Sequence, residues 1–182
     1  EWLHSWYQMM LATNESLYPW MDEGFTSYFS SLTMAHLNEK TEDPLLRTYS
    51  GYRRFIKSGK AESLSTHADH YHTNGAYGVG SYVKGSIFLH QIRYIIGDEA
   101  FFNGMLKYYD TWKFKHPNPN DFLRIMEKES DIELDWYKEY WVNTNNHPDY
   151  ALSNIESVAK FSTKVQLANV GLMPMPVDVV VQ

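Results

Sequence analysis

Apolar positions recur at helical spacing through most of the first 145 residues. Trp2, Trp6, Met9 and Met10 predict a helix over residues 1–12, followed by a polar break at 13–16. Pro19 suits a first helical position, where its missing N–H costs nothing. Trp20, Gly24, Phe25, Tyr28, Phe29 and Leu32 then trace one stripe, predicting a helix of about five turns. A third helix is expected over 41–58, stopped by Gly59. Residues 59–78 show no period and carry Gly59, Gly75 and Gly78 among many small polar side chains, so they read as a surface loop. Helical spacing returns over 79–96 through Tyr82, Val83, Ser86, Ile87, His90 and Ile95. Gly97 marks its end and Asp98 can cap the next helix. Further helices are expected over 98–112, 121–129 and 134–142.

The period changes after Asn145-Asn146-His147-Pro148. Val165-Gln166-Leu167 alternates, and residues 176–181 are rich in β-branched side chains, as strands are. The expected architecture is mainly α: a helical unit over 1–148, then the start of a β-sandwich over 149–182. No internal repeat or low-complexity segment interrupts it. The sequence opens on Glu1 and closes on what reads as a strand stopped mid-sheet, so an internal piece of a longer protein is expected.

Composition narrows the function classes. Of the 182 residues, 43% are hydrophobic and 16% aromatic, ample for a core. The net charge of −6, without a basic stripe, argues against nucleic acid or an anionic membrane as partner. No apolar run approaches the roughly 18 residues that span a bilayer. With no cysteine, disulfides, thiolate zinc sites and cysteine nucleophiles are excluded within this sequence.

The candidate chemistry lies at the start. Glu1 and His4 share one helical face, a turn apart, and two antiparallel helices could bring Glu23 beside His4. Two histidines and a glutamate around a zinc ion, with the fourth position open, form an established catalytic type. In the usual helix motif, His-Glu-x-x-His, the glutamate is the base. The first histidine of that motif would stand just before Glu1.

Glu1-Trp2-Leu3-His4, the following eighteen residues and then Glu23 resemble the gluzincin aminopeptidases, the aminopeptidase N and leukotriene hydrolase type. Trp6 and the words Pro19-Trp20-Met21-Asp22-Glu23-Gly24-Phe25-Thr26 and Tyr82-Val83-Lys84-Gly85 are similar to that family too, over most of residues 1–145. The residues around Pro148 and 173–178 look like the join to the next β domain in bacterial members.

The resemblance implies the helical half of a thermolysin-like catalytic domain. It implies Zn2+ as cofactor, with His4 and Glu23 as ligands, Glu1 as general base and Tyr82 as oxyanion donor. Peptides are the implied substrates, losing amino-terminal residues, and an exported protein is implied by analogy. The piece alone is expected to be inactive, with one ligand and the substrate-amine segment upstream.

The sequence departs from the family at Gln8–Met10 and at Ser30, where many members carry a carboxylate that orients a ligating histidine. These departures keep a second reading open, a zinc-free peptide-binding or interaction domain of the same fold. Asp22 can support the metal site or simply open a helix. His67, His70 and His72 read as solvated loop histidines, since their spacing fits no common metal site. His90, Trp6, Trp20, Trp136 and Trp141 read as core.

Overall fold

The computed structural model describes residues 1–180. It is mainly α-helical and divides into two compact units, residues 1–144 and 145–182.

In the first unit α1 spans Pro19–Leu37, with Pro19 at its first turn as expected. It is followed by α2 (Leu46–Ile56), a short α3 (Asn74–Gly78), α4 (Gly85–Ile96), α5 (Asp98–Trp112), α6 (Pro119–Ser130) and α7 (Asp135–Asn143). Two π-helical turns, Ser5–Met10 and Val79–Lys84, precede α1 and α4. The core is aromatic. Trp20 meets Phe88 edge-on at 4.8 Å, Phe25 meets Phe122 at 5.0 Å, and Phe88 lies 5.1 Å from Tyr137. Trp20 and Trp141 are buried as expected, but Trp136 is only half-buried and Trp6 is exposed. Tyr7 takes the inward place instead, stacking on Phe29 of α1 at 5.0 Å.

Other differences have local causes. α2 starts later than 41 because Asp43 and Pro44 form a turn, in which the Asp43 carboxylate accepts the Leu45 N–H at 2.8 Å. α3 forms inside the expected loop because the Thr73 hydroxyl caps it, accepting the Ala76 N–H at 3.0 Å. α5 runs over the residues expected, turned out of α4 by Gly97 at φ +84°. The Arg93 guanidinium holds that corner with two bonds to Asp98, 2.8 and 2.7 Å. α6 opens on a reciprocal cap between Asn118 and Asp121.

α1 and α4 meet backbone to backbone. A Cβ on Gly24 would lie 2.7 Å from the backbone of Gly85 and 2.9 Å from the Ser81 carbonyl oxygen. Only glycine allows that approach.

Lys84 ends the second π turn and is buried, its Nζ donating to the Thr144 carbonyl at 2.9 Å. Burial pushes its pKa down to about 7. A lysine held below its unfolded value makes folding less favourable wherever the ammonium persists, so stability rises as pH climbs from about 7 towards 10. Comparing thermal midpoints of the full-length protein and Lys84→Met at about pH 7 and about pH 9.5 should show the parent gaining on the variant. A difference that does not change with pH would refute the shift.

The second unit is a hairpin, β1 (Tyr150–Ala159) against β2 (Ser162–Asn169), antiparallel from Tyr150↔Asn169 to Ala159↔Ser162. The alternation at Val165–Leu167 lies in β2. Residues 176–180 are extended without strand assignment, and the remainder of that expected strand lies outside the described residues. The Tyr150 hydroxyl ties the following segment down, accepting the Met175 N–H at 2.8 Å and donating to its carbonyl at 3.0 Å.

Candidate metal centre

The site forms where the first π turn docks on the start of α1. His4 sits just before that turn, and packing of Tyr7 on Phe25 and Phe29 carries it against α1. Asp22 and Glu23 lie in the first turns of α1, where the helix dipole favours carboxylates. His4 Nε2 lies 3.5 Å from a Glu23 carboxylate oxygen. His4 Nδ1 lies 2.7 Å from Asp22 Oδ1 and 3.4 Å from the Thr26 hydroxyl.

This geometry selects a tautomer. With Nδ1–H donated to Asp22, Nε2 presents its lone pair towards Glu23, as a metal-ligating histidine does. Asp22 is buried, and burial pushes its carboxyl up to about 6 against the opposing pull of the His4 hydrogen bond and charge. Of the two roles left open for Asp22, the structure places its carboxylate on the His4 imidazole.

The donor set fits zinc. Imidazole nitrogen and carboxylate oxygen are its usual light-atom ligands, with bonds of about 2.0–2.1 Å. Two such ligands on a tetrahedral ion stand about 3.3 Å apart, close to the separation seen. Among the described residues, ligand atoms of His4, Asp22 and Glu23 fall within 4.8 Å of one another. The other such group, Glu127, Glu133 and Asp135, is engaged locally: Glu127 accepts the Leu134 N–H and Glu133 the Asp135 N–H, each at 2.8 Å.

Tyr82, on the second π turn, faces the same place from across the Gly24–Gly85 contact. Its pKa is raised, first by burial and then by hydrogen bonding to Glu23 and the charge of that carboxylate. Glu1 is not drawn in. It is exposed, Trp2 and Leu3 form a turn ahead of the helical residues, and among the described residues its side chain has no hydrogen bond or ion pair. Of the four residues singled out from sequence, three therefore converge.

Beside Glu23 a cavity of about 260 Å³ opens, lined by Glu15, Ser16, Pro19, Asp22, Ala68 and Tyr77 as well. Glu15 and Tyr77 went unnoticed in the sequence because no motif marks a cavity wall. The loop histidines do not form a metal group. His72 pairs with Glu62 at 3.0 Å, while His67 caps its own turn and meets the His70 ring at a tilt, centroids 4.9 Å apart.

Residues 1–141 match the peptidase family M1 domain. The chain belongs to peptidase family M1. Glutamyl aminopeptidase of Sus scrofa is 22% identical over 171 residues, covering 90% of this chain and 18% of that protein. Probable aminopeptidase 2 of Sulfurisphaera tokodaii is 23% identical over 160 residues, 81% of this chain and 20% of that protein. The chain thus spans about a fifth of the length of these curated M1 relatives. An M1 zinc metallopeptidase of Deinococcus radiodurans superposes with a TM-score of 0.65 at 19% identity, covering 80% of this chain and 32% of that one, so the fold is shared. The M1 family is one of zinc metallopeptidases, in keeping with the donor set at His4 and Glu23.

Asp22→Asn in the full-length protein is expected to weaken zinc affinity about 10–100-fold, as loss of an orienting carboxylate does. Competition with a chelating dye measures this. Unchanged affinity would leave Asp22 as a helix-start acid and nothing more.

Proposed function

We propose that the protein is a zinc aminopeptidase, hydrolysing peptide bonds to release amino-terminal residues. The observation that carries this reading is the His4 imidazole, locked by Asp22 at one nitrogen and aimed at Glu23 with the other. The aminopeptidase relatives support the reaction class.

In this reading His4 and Glu23 are two of the protein ligands, and Asp22 holds the His4 ring in register. When bound, zinc supplies a Lewis acid that polarises the scissile carbonyl and makes water a competent nucleophile near neutral pH. Glu1 takes the proton of the attacking water and returns it to the leaving amine, as the resemblance implies. The Tyr82 phenol is protonated near neutral pH, so it can donate to the oxygen on which charge develops. The cavity beside Glu23 offers room for a substrate side chain next to the reacting bond. Residues 149–182 are read as the first part of a β-sandwich.

The test is metal analysis of the full-length protein, with turnover of amino-acid anilides before and after chelation. Stoichiometric zinc, loss of turnover with the chelator and recovery on adding zinc are expected. A protein that binds peptides without zinc and without cleaving them would be the interaction domain instead. A zinc enzyme that prefers amino-terminally blocked peptides would overturn the aminopeptidase assignment alone.

A further inference from the structure

Among the described residues only two side chains of the Asp, Glu, Lys and Arg types are buried, Asp22 and Lys84. Asp22 holds His4. Lys84 has no counterpart carboxylate. Its one hydrogen bond goes to a neutral carbonyl, that of Thr144, sixty residues on. Burying an ammonium on such terms opposes folding, and an apolar side chain of similar volume would fill the space at lower cost. The contribution of Lys84 is therefore not to be sought in stability.

Its place suggests what it does. Lys84 and Tyr82 stand two positions apart on the π turn Val79–Lys84, and so face opposite sides. Tyr82 is 40% exposed and looks towards Glu23, whereas Lys84 is 2% exposed and runs inward to the end of α7. There the Thr144 carbonyl lies at the negative end of the helix dipole, which favours a cation. The Thr144 hydroxyl in turn donates to the Tyr140 carbonyl at 2.7 Å, tying that end to its own helix. The Gly24–Gly85 contact fixes how close the π turn comes to α1, but glycines offer no side chain to stop it rotating. Lys84 does.

We propose that Lys84 is a positioning residue for Tyr82, fixing the rotation of the π turn through the Thr144 carbonyl so that the hydroxyl meets the reacting oxygen. This rests on reading Tyr82 as the oxyanion donor. A misplacement of about 1 Å in such a group can cost on the order of 10²-fold in rate.

Four variants of the full-length protein test it: Tyr82→Phe, Lys84→Met, Lys84→Arg, and Tyr82→Phe with Lys84→Met. Lys84→Met should lower kcat about 10-fold or more, with KM and zinc content unchanged. Lys84→Arg, which keeps N–H donors for the Thr144 carbonyl, should recover most of that loss. In the Tyr82→Phe background, Lys84→Met should change kcat less than about twofold, because the group being positioned is already gone. An equal loss in both backgrounds, or no loss in either, overturns the inference while leaving the Tyr82 assignment standing. If Tyr82→Phe alone leaves kcat unchanged, the assignment of Tyr82 fails and the inference with it. Should Lys84→Met not fold, Lys84→Gln retains a donor for Thr144 and replaces it in the same cycle. If neither folds, Lys84 is a structural residue and the inference is wrong.

Discussion

Glu1→Gln in the full-length protein is expected to lower kcat on amino-acid anilides by about 10²–10⁴-fold, the usual contribution of a positioned acid–base group. The change replaces one carboxylate oxygen by an amide nitrogen and hardly alters size, so binding should persist. KM should move little and zinc content should stay at the parental level, because the proposed ligands are His4 and Glu23, whose donor atoms lie together without Glu1. The Glu1 side chain has no hydrogen bond or ion pair to lose, so the thermal midpoint should also hold. An activity loss with intact metal and intact fold marks a residue acting on protons. Parental turnover would remove Glu1 from the reaction, and loss of zinc alongside activity would recast it as a ligand.

Gly24→Ala should cause a large loss of stability. An added methyl would fall 2.7 Å from the Gly85 backbone, and backbone cannot rotate aside as a side chain can. Overpacking typically costs about 1–3 kcal/mol, and a rigid neighbour puts this case at the upper end. Alanine's better helix propensity returns about 1 kcal/mol, leaving a net loss of roughly 2 kcal/mol. Gly51→Ala is the matched control. Gly51 lies inside α2 with nothing within 4 Å of the new methyl, so the same substitution should stabilise by about 0.5–1 kcal/mol. Thermal midpoints that shift in opposite directions bear this out. A fall at both positions would mean that helix flexibility, not the close approach, sets the effect.

The helices were legible where punctuation was strong. Pro19 opened α1, Gly97 turned the chain between α4 and α5, and the stripe of Trp20, Gly24, Phe25 and Tyr28 named the buried face of α1. The stripe read over 79–96 named only Ser86 and Ile87 of the residues that α4 buries. The π turns were not legible, because one extra residue per turn hardly changes an apolar pattern only six residues long. The helix expected over residues 1–12 forms only from His4 to Met10, and as a π turn, for a different reason. Trp2, Trp6 and Met9, the positions that suggested it, face solvent, so spacing there did not report packing. At the site, the pairing of His4 with Glu23 could be read from two helical segments and the distance between them. The bond from Asp22 to His4 could not, since it depends on which way adjacent side chains point at the start of α1.

Where Gly24 abuts Gly85, the peptide planes of α1 and α4 touch with no intervening side chain to act as a cushion. Glu23 is one residue from that seam on one helix, and Tyr82 is three residues from it on the other. The two side chains are therefore fixed to a single seam, which leaves little slack for either to drift alone. Heat would then abolish their alignment in one step, as the seam opens, rather than by gradual loosening.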